Sequence, residues 1–283
     1  MKKQNIGFLH PGAMGISLAA TALNSGYTPF WVSENRSTAT YERAQEQGLK
    51  AVQDIGQLTT ECDLIISVCP PHAAMDVAKQ VLAADFSGTY ADVNAISPQH
   101  VKEINTLMVS AGVTFVDGGI IGPPAWQPDT TYLYLSGPAA KNVAECFSAG
   151  PLVTEVIGDS IGKASALKMC FAANSKGTTA LLCSIMAAAE KMGVRQELEK
   201  QWSRNGSTYT TEVISGITQA AAKAWRFSGE MEEIAATLAA AGLPEGFHLA
   251  AQDIYSRLSG FKDCESKPSL NDILSTLIPR EPC

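Results

Sequence analysis

The sequence is poor in charged and aromatic residues and contains no apolar run as long as a membrane-spanning helix. Charged side chains make up 17% of the chain and hydrophobic ones 46%, a balance that supplies a buried core and excludes a disordered chain. The formal net charge of −7 argues against nucleic acid or an anionic membrane surface as a partner. Since a spanning helix needs about 20 apolar residues, we expect no membrane association.

Paired cysteine motifs are missing as well. The seven cysteines, from Cys62 to Cys283, are scattered, and no C-x-x-C spacing occurs. The first residues also lack the apolar segment and the small-residue cleavage site of a secretory signal. These absences predict reduced, mostly buried thiols in a cytoplasmic protein with no metal site.

The chain does show a change of pattern near Gly162. Its 283 residues predict about two domains. Before Gly162, short apolar segments alternate with helical ones, which is typical of a parallel sheet covered on both faces. After Gly162, helical segments follow one another. The sequence therefore predicts an α/β fold class, with an N-terminal Rossmann-like doubly wound sheet in residues 1–160 and an all-α domain in residues 161–283.

A glycine turn near the N-terminus is the strongest local signal. Residues 6–9 form a short apolar strand, and helical periodicity follows. Gly12 and Gly15 occupy the second and third positions of a G-x-G-x-x-G fingerprint, whereas His10 occupies the first. Such a strand, turn and helix bind the pyrophosphate of a dinucleotide at backbone N–H groups. The predicted cofactor-binding residues of this turn are His10, Pro11, Gly12, Ala13, Met14 and Gly15.

The end of the second predicted strand bears on which dinucleotide is bound. An acidic residue there favours the ribose hydroxyl of NAD, whereas arginine favours the 2′-phosphate of NADP. Glu34 fits NAD. The residues that fit a phosphate are Ser33, Asn35, Arg36 and Ser37. Because they form the fuller anion site, we expect NADP as the cofactor, with NAD as the alternative.

Two further stretches bear on the site and on the assembly. Residues 118–124 are rich in glycine and proline and follow a predicted strand at residues 113–117, so they predict a ligand-binding loop. Residues 163–192 predict one helix of about 45 Å, apolar around much of its circumference. Because one layer of later helices would not cover it, this helix predicts a homodimer built on the second domain.

Five short phrases are spread along almost the whole chain. They are His10-Pro11-Gly12-Ala13-Met14-Gly15, Cys69-Pro70-Pro71, Asn94-Ala95-Ile96-Ser97-Pro98, Asp117-Gly118-Gly119-Ile120-Ile121-Gly122-Pro123-Pro124 and Ala164-Ser165-Ala166-Leu167-Lys168-Met169. With these phrases the chain resembles the β-hydroxyacid dehydrogenases, relatives of 6-phosphogluconate dehydrogenase and 3-hydroxyisobutyrate dehydrogenase. It is similar to the branch of NAD(P)-dependent oxidoreductases that carries a C-terminal domain of unknown function.

The resemblance implies roles for residues beyond the glycine turn. Cys69 and Pro70 are implied to border the adenosine side of the cofactor, and Asn94 the nicotinamide ribose. Gly122 and Pro123 are implied to face the substrate. Lys168 falls where the family carries its catalytic lysine.

Two positions depart from the family's handling of a substrate carboxylate. Ile121 replaces a serine of many relatives, and Ala172 replaces an asparagine. At 3.6 residues per turn, Ser175 returns to the helix face that carries Lys168, and Lys176 lies beside it. We therefore expect Ser175 and Lys176 to contact the substrate.

Hydride transfer needs a group that exchanges the proton of the substrate hydroxyl. A lysine does so when burial and nearby positive charge lower its pKa toward neutrality. We expect an NADP-dependent oxidoreductase that transfers hydride between the nicotinamide and a small hydroxy acid or related polar alcohol or carbonyl, with Lys168 as general acid/base. Two alternatives stay open: an imine reductase of the same architecture, whose members usually carry aspartate or tyrosine at the lysine position, and a non-catalytic NADP(H)-binding sensor.

Overall fold

The computed structural model describes residues 5–262, 264 and 266–278. The chain divides into two units, Met1–Met169 and Cys170–Cys283. The division falls within a helix that begins at Lys163, shortly after the boundary predicted near residue 160. The predicted domain limits stay a prediction.

The first unit is built on one sheet. Within the described ranges its eight strands are β1 (Asn5–Phe8), β2 (Thr28–Val32), β3 (Lys50–Val52), β4 (Leu64–Ser67), β5 (Thr89–Asp92), β6 (Thr114–Ile121), β7 (Thr131–Ser136) and β8 (Leu152–Val156). Their spatial order is β3-β2-β1-β4-β5-β6-β7-β8, and neighbouring strands are parallel except β6 and β7. The order reverses between β1 and β4, which defines the switch point where doubly wound sheets bind ligands.

Helices connect the strands, and one more helix follows the last strand. They are α1 (Ala13–Asn24), α2 (Thr38–Glu46), α3 (Ile55–Glu61), α4 (Ala74–Ala83), α5 (Pro98–Ser110), α6 (Ala140–Glu145) and α7 (Lys163–Ala172). Side chains of Ser37, Asp54 and Ser97 accept backbone N–H groups at the starts of α2, α3 and α5, which fixes where these helices begin.

The two faces of the sheet bury separate apolar clusters, because successive side chains of a strand point to opposite faces. Phe8 and Trp31 belong to one cluster, whereas Leu9, Phe30 and Ile65 belong to the other. Burial on both faces explains why the strands read as continuous apolar runs. The predicted α/β class, a Rossmann-like sheet followed by an all-α domain, is confirmed.

One predicted loop is largely a strand. The sequence predicts a loop over residues 118–124, but residues 118–121 continue β6 and pair with β7. Glycine occurs in this strand for a steric reason, since a Cβ at Gly118 would lie 2.5 Å from Cγ1 of Val93. Glycine therefore marks close packing inside this strand rather than a chain reversal, and the turn begins only at Gly122.

The second unit is helical throughout its described residues. After the end of α7 and a π-helical turn (Ala173–Gly177), it contains α8 (Thr178–Lys191), α9 (Arg195–Trp202), α10 (Tyr209–Ala221), α11 (Ala224–Ala240), α12 (Gly246–Arg257) and α13 (Leu270–Leu277).

The single α-helix expected over residues 163–192 is therefore interrupted. In the π turn the hydrogen bonds run from residue i to i+5, so the 3.6-residue period does not extend through residues 173–177. The helical-wheel argument for Ser175 loses its basis, and its role stays a prediction. The turn packs tightly against α12, because a Cβ at Gly177 would lie 2.7 Å from Nε2 of His248.

The cysteines and the helix lengths bear on the remaining compositional expectations. Six of the seven cysteines lie in the described part of the chain, where all are free thiols. Three of these are buried, Cys69 is half-buried, and Cys170 and Cys264 are exposed; Cys283 lies outside the described residues. In the described ranges, every helix is too short or too polar to cross a lipid bilayer.

Candidate active site

The residues predicted to bind a dinucleotide lie at one edge of the sheet. His10 comes after β1, Ser33 after β2, Cys69 after β4 and Asn94 after β5. These four strands are adjacent and parallel, in the order β2-β1-β4-β5, so their carboxyl ends share one edge. The topology thus brings together residues that are far apart in the sequence, on both sides of the switch point.

The turn after β1 leaves the start of α1 open to an anion. Gly12 is the exposed N-cap of α1, and within the described residues no side chain caps this helix end. The first turn contains no acidic residue. N–H groups at a helix start carry partial positive charge and bind phosphate. Gly15 permits the turn, since a Cβ there would lie 2.3 Å from the carbonyl oxygen of His10.

Arg36 reaches back to this turn. Its Nη2 donates to the carbonyl oxygen of Leu9 at 3.3 Å, and its Nε is buried without a hydrogen-bond partner in the described chain. Asn35 has a positive φ of 56°, and Ser37 caps α2. Ser33 differs from these, because its hydroxyl donates to a carbonyl oxygen of β3 at 2.9 Å. The predicted phosphate residues thus form a short loop whose guanidinium group contacts the end of β1.

A second arginine, which sequence reasoning missed, reaches the same turn. Nη1 of Arg43 on α2 donates to the carbonyl oxygen of Pro11 at 3.2 Å. Neither Arg36 nor Arg43 has a carboxylate partner among the residues that the structure describes. Arg36 precedes α2, whereas Arg43 lies in the last turn of that helix, so the spacing of the two arginines in the sequence gives no helix-face signal, and only the fold brings both to the glycine turn.

His10, which replaces the first glycine of the fingerprint, is uncharged near neutral pH. Burial and, to a smaller extent, the positive charge of Arg36 lower the pKa of His10 to about 4. Its Nδ1 is buried and has no hydrogen-bond partner in the described ranges. Positive charge at the turn therefore comes from the arginines and from the start of α1.

Asn94 ties the ends of β4 and β5 together. Its Oδ1 accepts the backbone N–H of Cys69 at 2.5 Å, and its Nδ2 donates to the Ser67 hydroxyl at 3.1 Å and to the Asp92 carboxyl group at 3.0 Å. Burial raises the pKa of the Cys69 thiol to about 12, so this thiol is uncharged. The amide that the resemblance assigns to the nicotinamide ribose thus holds the loop of Cys69 and the exposed Pro70 in place.

Asp92 is a member of this network that sequence reasoning missed. It is entirely buried, and its two oxygens accept the backbone N–H and the side-chain Nδ2 of Asn94, each at 3.0 Å. Burial raises the pKa of Asp92 to about 7; the hydrogen bonds from Asn94 oppose the rise, and the charge of Asp117 adds to it. An acidic residue at the end of an apolar strand is the sequence signal that marks such a group.

Gly122 and Pro123, the predicted substrate residues, are exposed in the turn after β6. The Thr131 hydroxyl donates to the carbonyl oxygen of Pro123 at 2.6 Å. The backbone N–H of Ala125 donates to the hydroxyl of Ser17 on α1 at 2.9 Å. The turn is thereby tied to the helix that begins at the glycine turn.

Lys168, the predicted catalytic residue, lies on α7 and is partly buried. A Cβ at Gly119 would lie only 2.9 Å from Cβ of Lys168, so β6 passes directly against the lysine. The strand that contacts Lys168 is therefore the one that leads into Gly122 and Pro123.

Ser175 and Lys176 belong to the second unit, in the π turn. The Ser175 hydroxyl donates to a carbonyl oxygen one turn earlier at 3.1 Å. The Lys176 ammonium group forms an ion pair with Glu230 and lies 4.5 Å from the ring centroid of Phe227. Burial lowers the pKa of Lys176 despite the opposing effect of Glu230, and the nearby charge of Arg226 lowers it further.

The residues at the sheet edge fit the phosphate groups of a dinucleotide. The open start of α1 offers N–H groups to a pyrophosphate. Arg36 and Arg43 offer guanidinium groups to a further phosphate, and the buried Nε of Arg36 is a donor without a partner in the described chain.

Comparison with known families agrees with this geometry. Residues 5–149 match the NAD binding domain of 6-phosphogluconate dehydrogenase, and residues 189–258 match a domain of unknown function. The first match covers about half of the chain and contains the glycine turn, both arginines and Asn94. The resemblance stated from the five phrases is confirmed.

Two curated relatives have described activities. The mitochondrial 3-hydroxyisobutyrate dehydrogenase of Drosophila melanogaster is 25% identical over 203 residues, which are 69% of this chain and 60% of that protein. The NADPH-dependent reductive aminase of Aspergillus oryzae is 31% identical over 136 residues, which are 46% of this chain and 45% of that protein. The matches span 35% to 63% of the lengths of the curated relatives, less than two thirds in each case.

A solved structure shares the fold along nearly the whole chain. The 3-hydroxyisobutyrate dehydrogenase of Mycobacterium tuberculosis, solved with L-serine, has a TM-score of 0.69 at 18% identity. The comparison covers 97% of this chain and 99% of that one. At this identity the likeness concerns the fold alone.

Proposed function

Since the chain belongs to the family of the NAD binding domain of 6-phosphogluconate dehydrogenase, we propose that it is an NADP-dependent oxidoreductase. It transfers a hydride between the nicotinamide and a small hydroxy acid, or a related polar alcohol or carbonyl. Lys168 is its general acid/base. The observation that carries the proposal is the contact of Lys168 with β6, the strand that leads into the turn of Gly122 and Pro123.

The preference for NADP rests on the two arginines. Arg36 and Arg43 reach the carbonyl oxygens on either side of His10, and among the described residues neither is neutralised by a carboxylate. A guanidinium group binds a doubly charged phosphate through paired, charge-assisted hydrogen bonds. The ribose of NAD carries no phosphate at that position and would leave both groups unused.

The chemistry at the substrate follows from the lysine. The dinucleotide, when bound, supplies or accepts the hydride. Lys168 takes the hydroxyl proton during oxidation and returns it during reduction. Contact with β6 limits the directions in which this side chain can extend, which favours one orientation toward the substrate.

Binding of a substrate anion differs from that in many relatives, because Ile121 and Ala172 lack polar side chains. Ser175 and Lys176 are the proposed substrate contacts in the second unit. Since Lys176 is already paired with Glu230, a substrate carboxylate would compete with that side chain for the ammonium group.

A homodimer is part of the proposal. Leu181 on α8 is 59% exposed and Phe247 on α12 is 78% exposed. Both line an apolar cavity of about 550 Å³ in the second unit. Exposed apolar surface of this kind marks an interface, and the occupant we propose is the same surface of a second copy.

An imine reductase is the second candidate, favoured by the 31% identity with the reductive aminase of Aspergillus oryzae. Reduction of an iminium ion does not need a lysine to protonate an alkoxide, so Lys168 separates the two reactions. A non-catalytic sensor would bind NADPH without turnover of either substrate class.

A turnover screen tests the proposal. The protein is given NADPH with small oxo acids and carbonyls, or with ketone and amine pairs, and NADP with hydroxy acids and polar alcohols. Lys168→Met keeps the apolar stem and removes the proton, so kcat should fall by about 10²–10⁴-fold while NADPH affinity stays the same. Lys163→Met, at an exposed position of the same helix, is the matched control.

Four outcomes separate the candidates. Loss of hydroxy-acid turnover in Lys168→Met alone supports the dehydrogenase. Near-normal turnover in that variant removes the lysine from the mechanism, and turnover confined to ketone and amine pairs favours the imine reductase. Tight NADPH binding without turnover of any substrate class favours the sensor.

A further inference from the structure

Asp117 is entirely buried, and the proposed reaction gives it no role. Five donors converge on its two carboxyl oxygens. Oδ2 accepts the Ser136 hydroxyl at 2.8 Å and the backbone N–H groups of Gly162 at 2.9 Å, Ala164 at 3.0 Å and Ser165 at 3.2 Å, while Oδ1 accepts the Ser165 hydroxyl at 2.6 Å. A carboxylate is the side chain that accepts at both oxygens and donates nothing, so it matches a set made only of donors.

These bonds attach the first turn of α7 to the middle of β6. Three of the five donors are backbone N–H groups at residues 162–165, the groups that a helix start leaves without internal partners. A negative charge is also favourable at this end of the helix dipole. The capping residue comes from a strand more than 40 residues earlier in the chain, so it fixes the helix start to the sheet.

A second contact on the same face of β6 fixes the rotation of α7. Asp117 and Gly119 are two residues apart on a strand and therefore point to the same face of the sheet. A Cβ at Gly119 would lie 2.8 Å from the carbonyl oxygen of Ala164 and 2.9 Å from Cβ of Lys168. The helix therefore rests directly on the strand backbone at the position of Lys168.

From these contacts we propose that Asp117 is a positioning residue for Lys168. Its carboxyl group holds the first turn of α7, and Gly119 sets how closely the next turn approaches β6, so the Lys168 side chain extends from α7 in one direction. The inference rests on the proposed role of Lys168. Geometry at a reacting centre is demanding, because a misplacement of about 1 Å can cost about 10²-fold in rate.

Two variants of different severity test the inference. Asp117→Asn removes the negative charge and turns one acceptor oxygen into a donor amide, so the bonds that hold the first turn of α7 weaken. Ser165→Ala removes only the hydroxyl bond to Oδ1 and keeps the backbone bonds, and alanine favours the helix. The matched control is Asp54→Asn, the same change at the capping aspartate of α3 in the same unit.

Three measurements are made on the full chain: NADPH affinity, the split between kcat and KM, and the ¹³C NMR signal of reductively dimethylated Lys168, assigned with Lys168→Arg. We expect Asp117→Asn to bind NADPH within about twofold of the wild type and to lose about 10- to 100-fold in kcat at nearly constant KM. Its Lys168 signal should shift or split. Ser165→Ala should show smaller changes of the same kind, and Asp54→Asn should show none.

The NMR signal keeps this inference separate from the proposed reaction. An unchanged Lys168 signal in both variants, or an unchanged kcat in folded Asp117→Asn, overturns the positioning role. If Asp117→Asn does not fold, Ser165→Ala decides by the same two criteria. A shifted signal combined with normal turnover of Lys168→Met would support the anchor and overturn the catalytic role of the lysine.

Discussion

Asp92 on β5 and Asp117 on β6 are directly paired neighbours, so two entirely buried carboxyl groups lie side by side on adjacent parallel strands. Asp117 accepts bonds from five donors, whereas Asp92 accepts bonds from Asn94. Burial and the charge of Asp117 both disfavour a charge on Asp92. The pair thus connects two parts of the site: Asp92 belongs to the network that holds the Cys69 loop, and Asp117 caps α7.

Asp92 should make stability fall as pH rises toward neutrality. The pKa of Asp92 is raised to about 7 by burial and by Asp117, against the opposing effects of Asn94 and His100. Between about pH 4 and 7 the folded chain keeps a proton that the unfolded chain releases, so the unfolding free energy declines over this interval and is level above it. At about 1.4 kcal/mol per pH unit, the decline reaches about 4 kcal/mol at most.

Urea unfolding of the wild type and Asp92→Asn between pH 4 and pH 8 measures this effect. The difference between the two curves should change with pH and level off above pH 7. Asp129→Asn, at an exposed turn position, should run parallel to the wild type. Parallel curves for Asp92→Asn would show that Asp92 does not titrate in this range.

His10 should act in the opposite direction. Its pKa is lowered to about 4 by burial and by Arg36, from an ordinary value of 6.5. As pH falls from about 6.5 to about 4, His10 takes up a proton in the unfolded chain but not in the folded chain. The free energy of unfolding therefore decreases, by about 3 kcal/mol at most. The same unfolding series on His10→Gln should lack this loss, and the Asp92→Asn, His10→Gln double variant should be nearly free of both slopes.

Arg36→Ala and Arg43→Ala should each weaken NADPH binding. Loss of a charge-assisted hydrogen bond corresponds to about 1–3 kcal/mol, or about 5- to 150-fold in Kd. NADH binding should be nearly unchanged, because NADH lacks the 2′-phosphate. Fluorescence titration with both cofactors measures the two affinities, with Arg204→Ala in the second unit as the control. Equal losses for NADPH and NADH would mean that the arginines only support the glycine turn through Leu9 and Pro11.

The chain should sediment at twice its 29.9 kDa mass at micromolar concentration. Leu181→Glu and Phe247→Glu place charges on the exposed apolar surface of α8 and α12 and should yield a monomer. Val109→Glu, 57% exposed on α5 of the first unit, is the control and should remain a dimer. A wild type that sediments as a monomer would rule out this assembly.

The sequence by itself determined the α/β class, the helical second unit, the glycine turn and the loop of Arg36. These features depend on local properties, namely the period of the apolar residues, the glycine spacing and a basic residue just after a strand. Local properties also placed Lys168 on a helix. The loop predicted over residues 118–121 is wrong, because a glycine that ends a strand and a glycine that allows close packing within a strand look the same in a sequence.

Only the tertiary structure decided which of the remaining polar residues work together. Arg43, Asp92 and Asp117 owe their roles to contacts with Pro11, Asn94 and the start of α7, which are 32, 2 and more than 40 residues away. Even the short-range contact of Asp92 matters through its neighbour Asp117, because the two meet only when β5 pairs with β6. Strand order and register are set by the packing of whole helices and sheet faces, so the electrostatic surroundings of a buried carboxyl group cannot be read from its sequence neighbours.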